Sequence, residues 1–184
     1  MESNSNQLAI NNGLYIGGIS TILGILVYYV SPDLMGATSF GIIMMLLSLA
    51  LYIFYTIDLR KKVGGFWSFR EALKGIFLMS FIAGLVSIVV NFVFYKFIEP
   101  GAYEKISEIV TQNLSTTYEK LGMDQATIDK TIPEVLEKMK AQFDPSFTDV
   151  LKNLGIAVLI QFVMSLIFAA IFKKEQPIFT STEE

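Results

Sequence analysis

The chain of 184 residues has no cysteine and no histidine. The first absence excludes disulfides, thiolate nucleophiles and iron–sulfur ligation. The second removes the commonest general base and the commonest nitrogen ligand for zinc or haem. Charge is also scarce. Charged residues make up 17% of the chain, against roughly 25% in soluble domains. No Lys or Arg precedes Arg60; a cleavable secretory signal needs a basic n-region, so none is expected, and residues 1–12 read as a short disordered tail. The net charge of −3 is small and of the wrong sign for nucleic-acid binding. Well inside the apolar runs there is no Asp, Glu, Lys or Arg. Proton relays and ion-coupled transporters place such groups there, and a serine nucleophile would need a base beside it. These absences point away from an enzyme, with no cofactor, no metal and no catalytic residue expected.

What the chain has in excess is apolar residues, 53% of the total with a mean hydropathy of +0.53. They gather into four blocks, at about 13–30, 37–57, 75–97 and 151–172. Eighteen residues at about 1.5 Å each give roughly 27 Å, close to the hydrocarbon thickness of a bilayer. The fold class read from this pattern is all-α: a four-transmembrane-helix bundle with a helical extracytoplasmic insertion between spans three and four. The chain divides into 1–97 (tail and three spans), 98–150 (insertion) and 151–184 (fourth span and tail).

Punctuation between the blocks is local. Pro32 disfavours helix at Ser31, and Asp33 suits a turn, so spans one and two read as antiparallel neighbours. Asp58 and the run Arg60-Lys61-Lys62 are expected to stop span two, with Asp58 an interfacial carboxylate. Ser68-Phe69-Arg70-Glu71 fits a capping box and starts the third helix at Phe69. Glu99-Pro100-Gly101 breaks it. The insertion holds ten acidic residues and five lysines. Within it, 103–121 reads as an amphipathic helix ended by Gly122. Asp124 reads as the cap of a short helix through Ile128, Pro133 as the first turn of another, and Asp144-Pro145 as the start of the last.

Two stripes recur at helical spacing. On span three they are Ser80, Gly84, Ser87 and Asn91; on span four, Ala157, Gln161, Ser165 and Ala169. Small residues let helix backbones approach, and amides bond between helices in membranes. The expectation is an antiparallel seam with Gln161 bonded to Ser87 or Asn91. A further small-residue face, Gly13, Gly17, Ser20 or Thr21, and Gly24, marks span one.

Basic residues near the spans set orientation. Arg60, Lys61, Lys62, Arg70, Lys74, Lys173 and Lys174 all belong to one side if the termini are cytoplasmic, which places 98–150 outside. Phe69-Arg70-Glu71-Ala72, Asn91 with Tyr95, Ile98 and Pro100, Leu121-Gly122-Met123 and the stretch from Ser165 to Lys174 carry a resemblance to a family, the Domain of Unknown Function 4199 family of bacterial four-span membrane proteins. The resemblance implies a bacterial inner-membrane location, hence a periplasmic insertion, and supplies no site residues. The expected partners are membrane lipids and a protein partner or a second copy of the chain. The functional expectation is a non-enzymatic scaffold or regulator engaging a partner through the exterior helices; the alternative is a small homo-oligomeric transporter or channel.

Overall fold

Each apolar block forms one helix. The computed structural model describes residues 2–143 and 147–176. Its helices are α1 Glu2–Val30, α2 Thr38–Lys62, α3 Phe69–Val93, α4 Ala102–Lys120, α5 Gln125–Phe143 and α6 Phe147–Phe172. A 3-10 turn, Pro32–Gly36, joins α1 to α2, and a π-helical turn, Phe94–Ile98, continues α3. Among the described residues there are no strands. Four stretches are long and apolar enough to cross a membrane: Asn4–Val30, Ser39–Lys62, Phe69–Ile98 and Thr148–Phe172. The architecture is a four-span helical bundle with the α4–α5 hairpin inserted between its third and fourth spans.

The helix α3 is the axis of the bundle, packed against α1 on one side and α6 on the other. Its capping box is formed. Ser68 Oγ accepts from the Glu71 amide, and Glu71 Oε2 accepts from the Ser68 amide at 2.8 Å. Its buried face, Ala72, Ile76, Met79, Ser80 and Ala83, meets Ala9 and Ile16 of α1 and Phe168 and Ala169 of α6. The helix α2 is peripheral and leaves Ile42, Ile43, Leu46 and Phe54 exposed.

Three boundaries differ from the sequence reading. Residues 2–12 are not a loose tail but the first three turns of α1. Ala9, Asn12, Gly13 and Ile16 share one face at spacings of three and four, and Asn12, 1% exposed, donates to the Tyr55 carbonyl and to Asp58 Oδ2. Asp58 and the three basic residues do not stop α2; they form its last turns, where cations complement the exposed carbonyls. The stop comes from Gly64 and Gly65, whose φ of +113° and +84° suits glycine. Pro133 does not begin a helix. It lies inside the single helix α5, because the apolar stripe Ile128, Ile132, Leu136, Met139 and Phe143 runs unbroken across it. Residues 144–146 and 177–184, which include the Asp144-Pro145 pair, lie outside the described residues.

The hairpin turn is chemically specified. The Met123 amide donates to the Tyr118 carbonyl and the Gly122 amide to the Glu119 carbonyl, with Gly122 at φ +74°. This is the Schellman pattern that terminates a helix at a left-handed residue. Asp124 then caps α5, accepting from the Thr127 amide at 2.9 Å and the Thr127 hydroxyl at 2.8 Å.

Candidate functional site

The chemistry on offer is concentrated along α3. Toward α1 its surface is notched by glycine. A methyl group on Gly13 would lie 2.5 Å from the Met79 carbonyl oxygen and 2.8 Å from Ile82 Cβ. One on Gly17 would lie 2.7 Å from Val86 Cβ and 2.8 Å from the Ala83 oxygen. The order of these contacts makes α1 and α3 parallel. Thr21 completes the face by donating back to the Gly17 carbonyl at 2.7 Å, while Gly24 faces open space.

Toward α6 the surface is polar. Ser80 Oγ and Ser165 Oγ lie 3.3 Å apart, both buried, and each hydroxyl is also bonded to its own helix, Ser80 to the Ile76 oxygen and Ser165 to the Gln161 oxygen. One turn along, the Gln161 amide fills the notch left by Gly84. Ala169, fully buried, closes the seam at the other side. A step forward on α3 is met by a step back on α6, so the two are antiparallel.

This register sets Gln161 against Gly84, one turn short of Ser87 and two short of Asn91. Among the described residues no hydrogen bond joins Gln161 to Ser87 or Asn91, contrary to the expected pairing. The cause is the glycine: with no side chain at position 84, the amide lies down on α3 instead of reaching along it. Ser87, Asn91 and Ala157 are only partly buried.

Because α2 packs only lightly on α3, a groove of about 290 Å³ opens between α2 and α6. Its walls are Met45, Leu49 and Tyr52 from α2 and Ile160, Met164 and Phe168 from α6. Ile76 and Ser80 form its floor. Ser87 and Asn91 do not line it.

The basic end of the bundle is locked by contacts the sequence did not announce. Trp67 and Lys174 exchange backbone hydrogen bonds at 2.8 and 3.0 Å, and Trp67 Nε1 donates to the Phe172 oxygen at 2.8 Å. Arg60 reaches from α2 to the same Phe172 oxygen at 3.3 Å. The last two bonds satisfy the otherwise orphaned Phe172 carbonyl at the α6 terminus. Asp58 pairs with Lys62 at 2.7 Å. The opposite end is aromatic. Tyr28, Phe94, Ala102 and Ile106 form a buried cluster. Glu99 accepts from the hydroxyls of Tyr28 and Tyr29 at 3.1 and 2.7 Å. Phe143 packs on Tyr95 with ring centroids 4.4 Å apart, and Asn113 donates to the Asp33 carbonyl. The hairpin is therefore seated on the bundle.

These features define a class: an all-α protein with four helices able to span a membrane, organised around the third, with a docked helical hairpin. The family model described as "Protein of unknown function (DUF4199)" matches residues 11–174, and the chain belongs to that family. Neither curated proteins nor solved structures provide a match.

Proposed function

We propose that this is a non-enzymatic membrane protein that scaffolds or regulates a partner through its α4–α5 hairpin. The observation that carries this reading is how the hairpin is held. The helix α4 rests on the turn between α1 and α2, and the apolar stripe of α5 is spent against α4 and the aromatic cluster. What α5 presents outward is a charged face, with Asp129, Lys130, Glu134, Glu137 and Lys138 exposed. A fixed, charged helix is suited to selective docking, because charge complementarity governs encounter and partner choice. The chain supplies no histidine or cysteine for chemistry, and the groove beside α3 has almost entirely apolar walls, which disfavours an aqueous path for a transporter or channel.

The reading includes a topology: an inner membrane, cytoplasmic termini and a periplasmic hairpin. It is supported by the seven basic residues Arg60, Lys61, Lys62, Arg70, Lys74, Lys173 and Lys174, which belong to the end of the bundle tied together by Trp67 and Lys174. A topology reporter inserted at Gly122 is expected to be active outside the cytoplasm; cytoplasmic activity overturns the orientation. Pull-down of the full chain from gently solubilised membranes is expected to retain a protein partner that is lost on Glu134→Lys with Glu137→Lys. A chain that is consistently solitary sinks the scaffold reading.

A further inference from the structure

The groove between α2 and α6 lies in the half of the bundle that ends in basic residues. Tyr52 precedes Arg60 by eight positions and Phe168 precedes Lys174 by six, so the groove begins about 9–12 Å from the charged rim. Its lips, Met45, Leu49, Ile160 and Met164, are exposed, so it opens sideways rather than into a sealed core. Its polar groups are turned toward α3 and their own helices: each serine hydroxyl donates to its own helix carbonyl, with the two oxygens 3.3 Å apart, and the Gln161 amide lies in the Gly84 notch. The surface left to an occupant is apolar. About two helical turns beyond it on α2 stands Arg60, which spends one hydrogen bond on the Phe172 oxygen out of the five N–H donors of a guanidinium. Among the described side chains at this end, three acidic ones, Asp58, Glu71 and Glu175, are outnumbered by seven basic ones.

We propose that this groove binds one acyl chain of an anionic phospholipid whose headgroup phosphate is held by Arg60 and the surrounding basic rim. The argument is independent of the scaffold reading. An acyl chain gains little by moving from bilayer to groove, since both are apolar. The chain therefore supplies shape, and selectivity comes from charge. A guanidinium suits that role because its planar fork matches phosphate oxygens in pairs. The volume, about 290 Å³, is at the low end of ligand pockets, roughly 300–1,000 Å³, which fits a single chain segment and not a whole lipid.

The chain has a single tryptophan, Trp67, packed in the same core as Ile76 and Phe168 of the groove. This supplies the test. The full-length protein is reconstituted in phosphatidylcholine vesicles carrying phosphatidylglycerol at a fixed mole fraction, with bromine on the acyl chains of one lipid or the other. Brominated phosphatidylglycerol is expected to quench Trp67 at least roughly threefold more effectively per lipid than brominated phosphatidylcholine, a preference that corresponds to about 0.7 kcal/mol. Arg60→Gln is expected to abolish the preference. Ile160→Phe, at an exposed lip where folding is not at stake, fills the groove and is expected to abolish it too. Equal quenching by both lipids in the wild-type protein overturns the proposal. So does a preference that survives either substitution: survival in Arg60→Gln removes the headgroup site, and survival in Ile160→Phe leaves charge at the rim but no chain in the groove. A dimer that excludes lipid, dissociated by Ile160→Phe, would assign the groove to a second copy and overturn it equally.

Discussion

The two halves of the bundle are built on different chemistry. In the half that ends in basic residues, α3 is gripped on both sides: glycines bring α1 onto its backbone, a serine pair meets across the seam with α6, and the Gln161 amide fills the gap at Gly84. In the other half the same stripes continue as Ser87, Asn91 and Ala157, yet these stay partly exposed, and cohesion passes to a ring cluster around Tyr28 and Phe94 that also seats the hairpin. In lipid there is no hydrophobic force between helices, so close approach and interhelical hydrogen bonds must hold them together. The first half uses both. The second relies on the rings and on the inserted hairpin, which is partly outside that constraint.

The largest expected break in this contrast comes from Gly17→Leu. Even one added carbon would stand 2.7 Å from Val86 Cβ and 2.8 Å from a backbone oxygen, so α1 must move off α3. Overpacking of this kind costs about 1–3 kcal/mol, sometimes more. Gly18→Leu, one position along and facing open space, is the control. Thermal unfolding in detergent is expected to show a large loss for the first and little for the second; equal losses would mean that the glycine face does not mediate packing.

Next is Asn12→Leu. The amide bridges α1 to the Tyr55 carbonyl and the Asp58 carboxylate while almost fully buried. Its removal takes one donor from each acceptor, while Asp58 keeps Lys62, so the cost is that of the lost hydrogen bonds, about 0.5–1.5 kcal/mol each. The same measurement is expected to rank it at or just below Gly17→Leu. A neutral result would show that Asn12 is a passenger of the α1 helix.

A smaller effect belongs to the serine pair. In a double-mutant cycle with Ser80→Ala and Ser165→Ala, the coupling is expected near 0.6 kcal/mol and no higher than about 1.7. Both hydroxyls also bond their own helix carbonyls, which limits what the cross-helix contact adds. Ser87→Ala and Asn91→Ala combined with Gln161→Ala are expected to show no coupling. A coupling there would mean that Gln161 leaves the Gly84 notch in the membrane.

Much of this architecture was legible because its causes are local. Four apolar runs of spanning length give four helices, Ser68 and Glu71 give a reciprocal cap, and Gly122 gives a left-handed stop. The failures share a physical reason. The polar stretch around Asn12 looked loose because the partners of its amide, Tyr55 and Asp58, are more than forty residues away. The lock between Trp67 and Lys174 is made of backbone groups, which carry no side-chain signature. The Gln161 partner was misjudged because a stripe fixes a helix face but not the register between two faces; that was set by the absence of a side chain at Gly84. Ala9, Asn12, Gly13 and Ile16, spaced as one helix face, were the signal that could have extended α1 to its true start.

The smallest predicted effect lies farthest from the packed half, at the tip of the hairpin. The Asp124 carboxyl accepts from the Thr127 hydroxyl and then from the Thr127 amide, and these bonds hold it below its ordinary value of 3.8. A depressed carboxyl favours folding above its free value and loses that contribution as the pH falls through the folded one. The window is therefore below about pH 4. The group is open to solvent, so the contribution is local rather than global. Hydrogen exchange at the Thr127 amide, corrected for intrinsic rate, is expected to accelerate across that window in the wild-type chain. In Asp124→Asn the cap survives, since asparagine is a good N-cap, but its pH dependence does not. A wild-type profile that the asparagine variant reproduces would assign the acid response elsewhere, and the exposed tip would then be held by Gly122 and the α4 terminus alone.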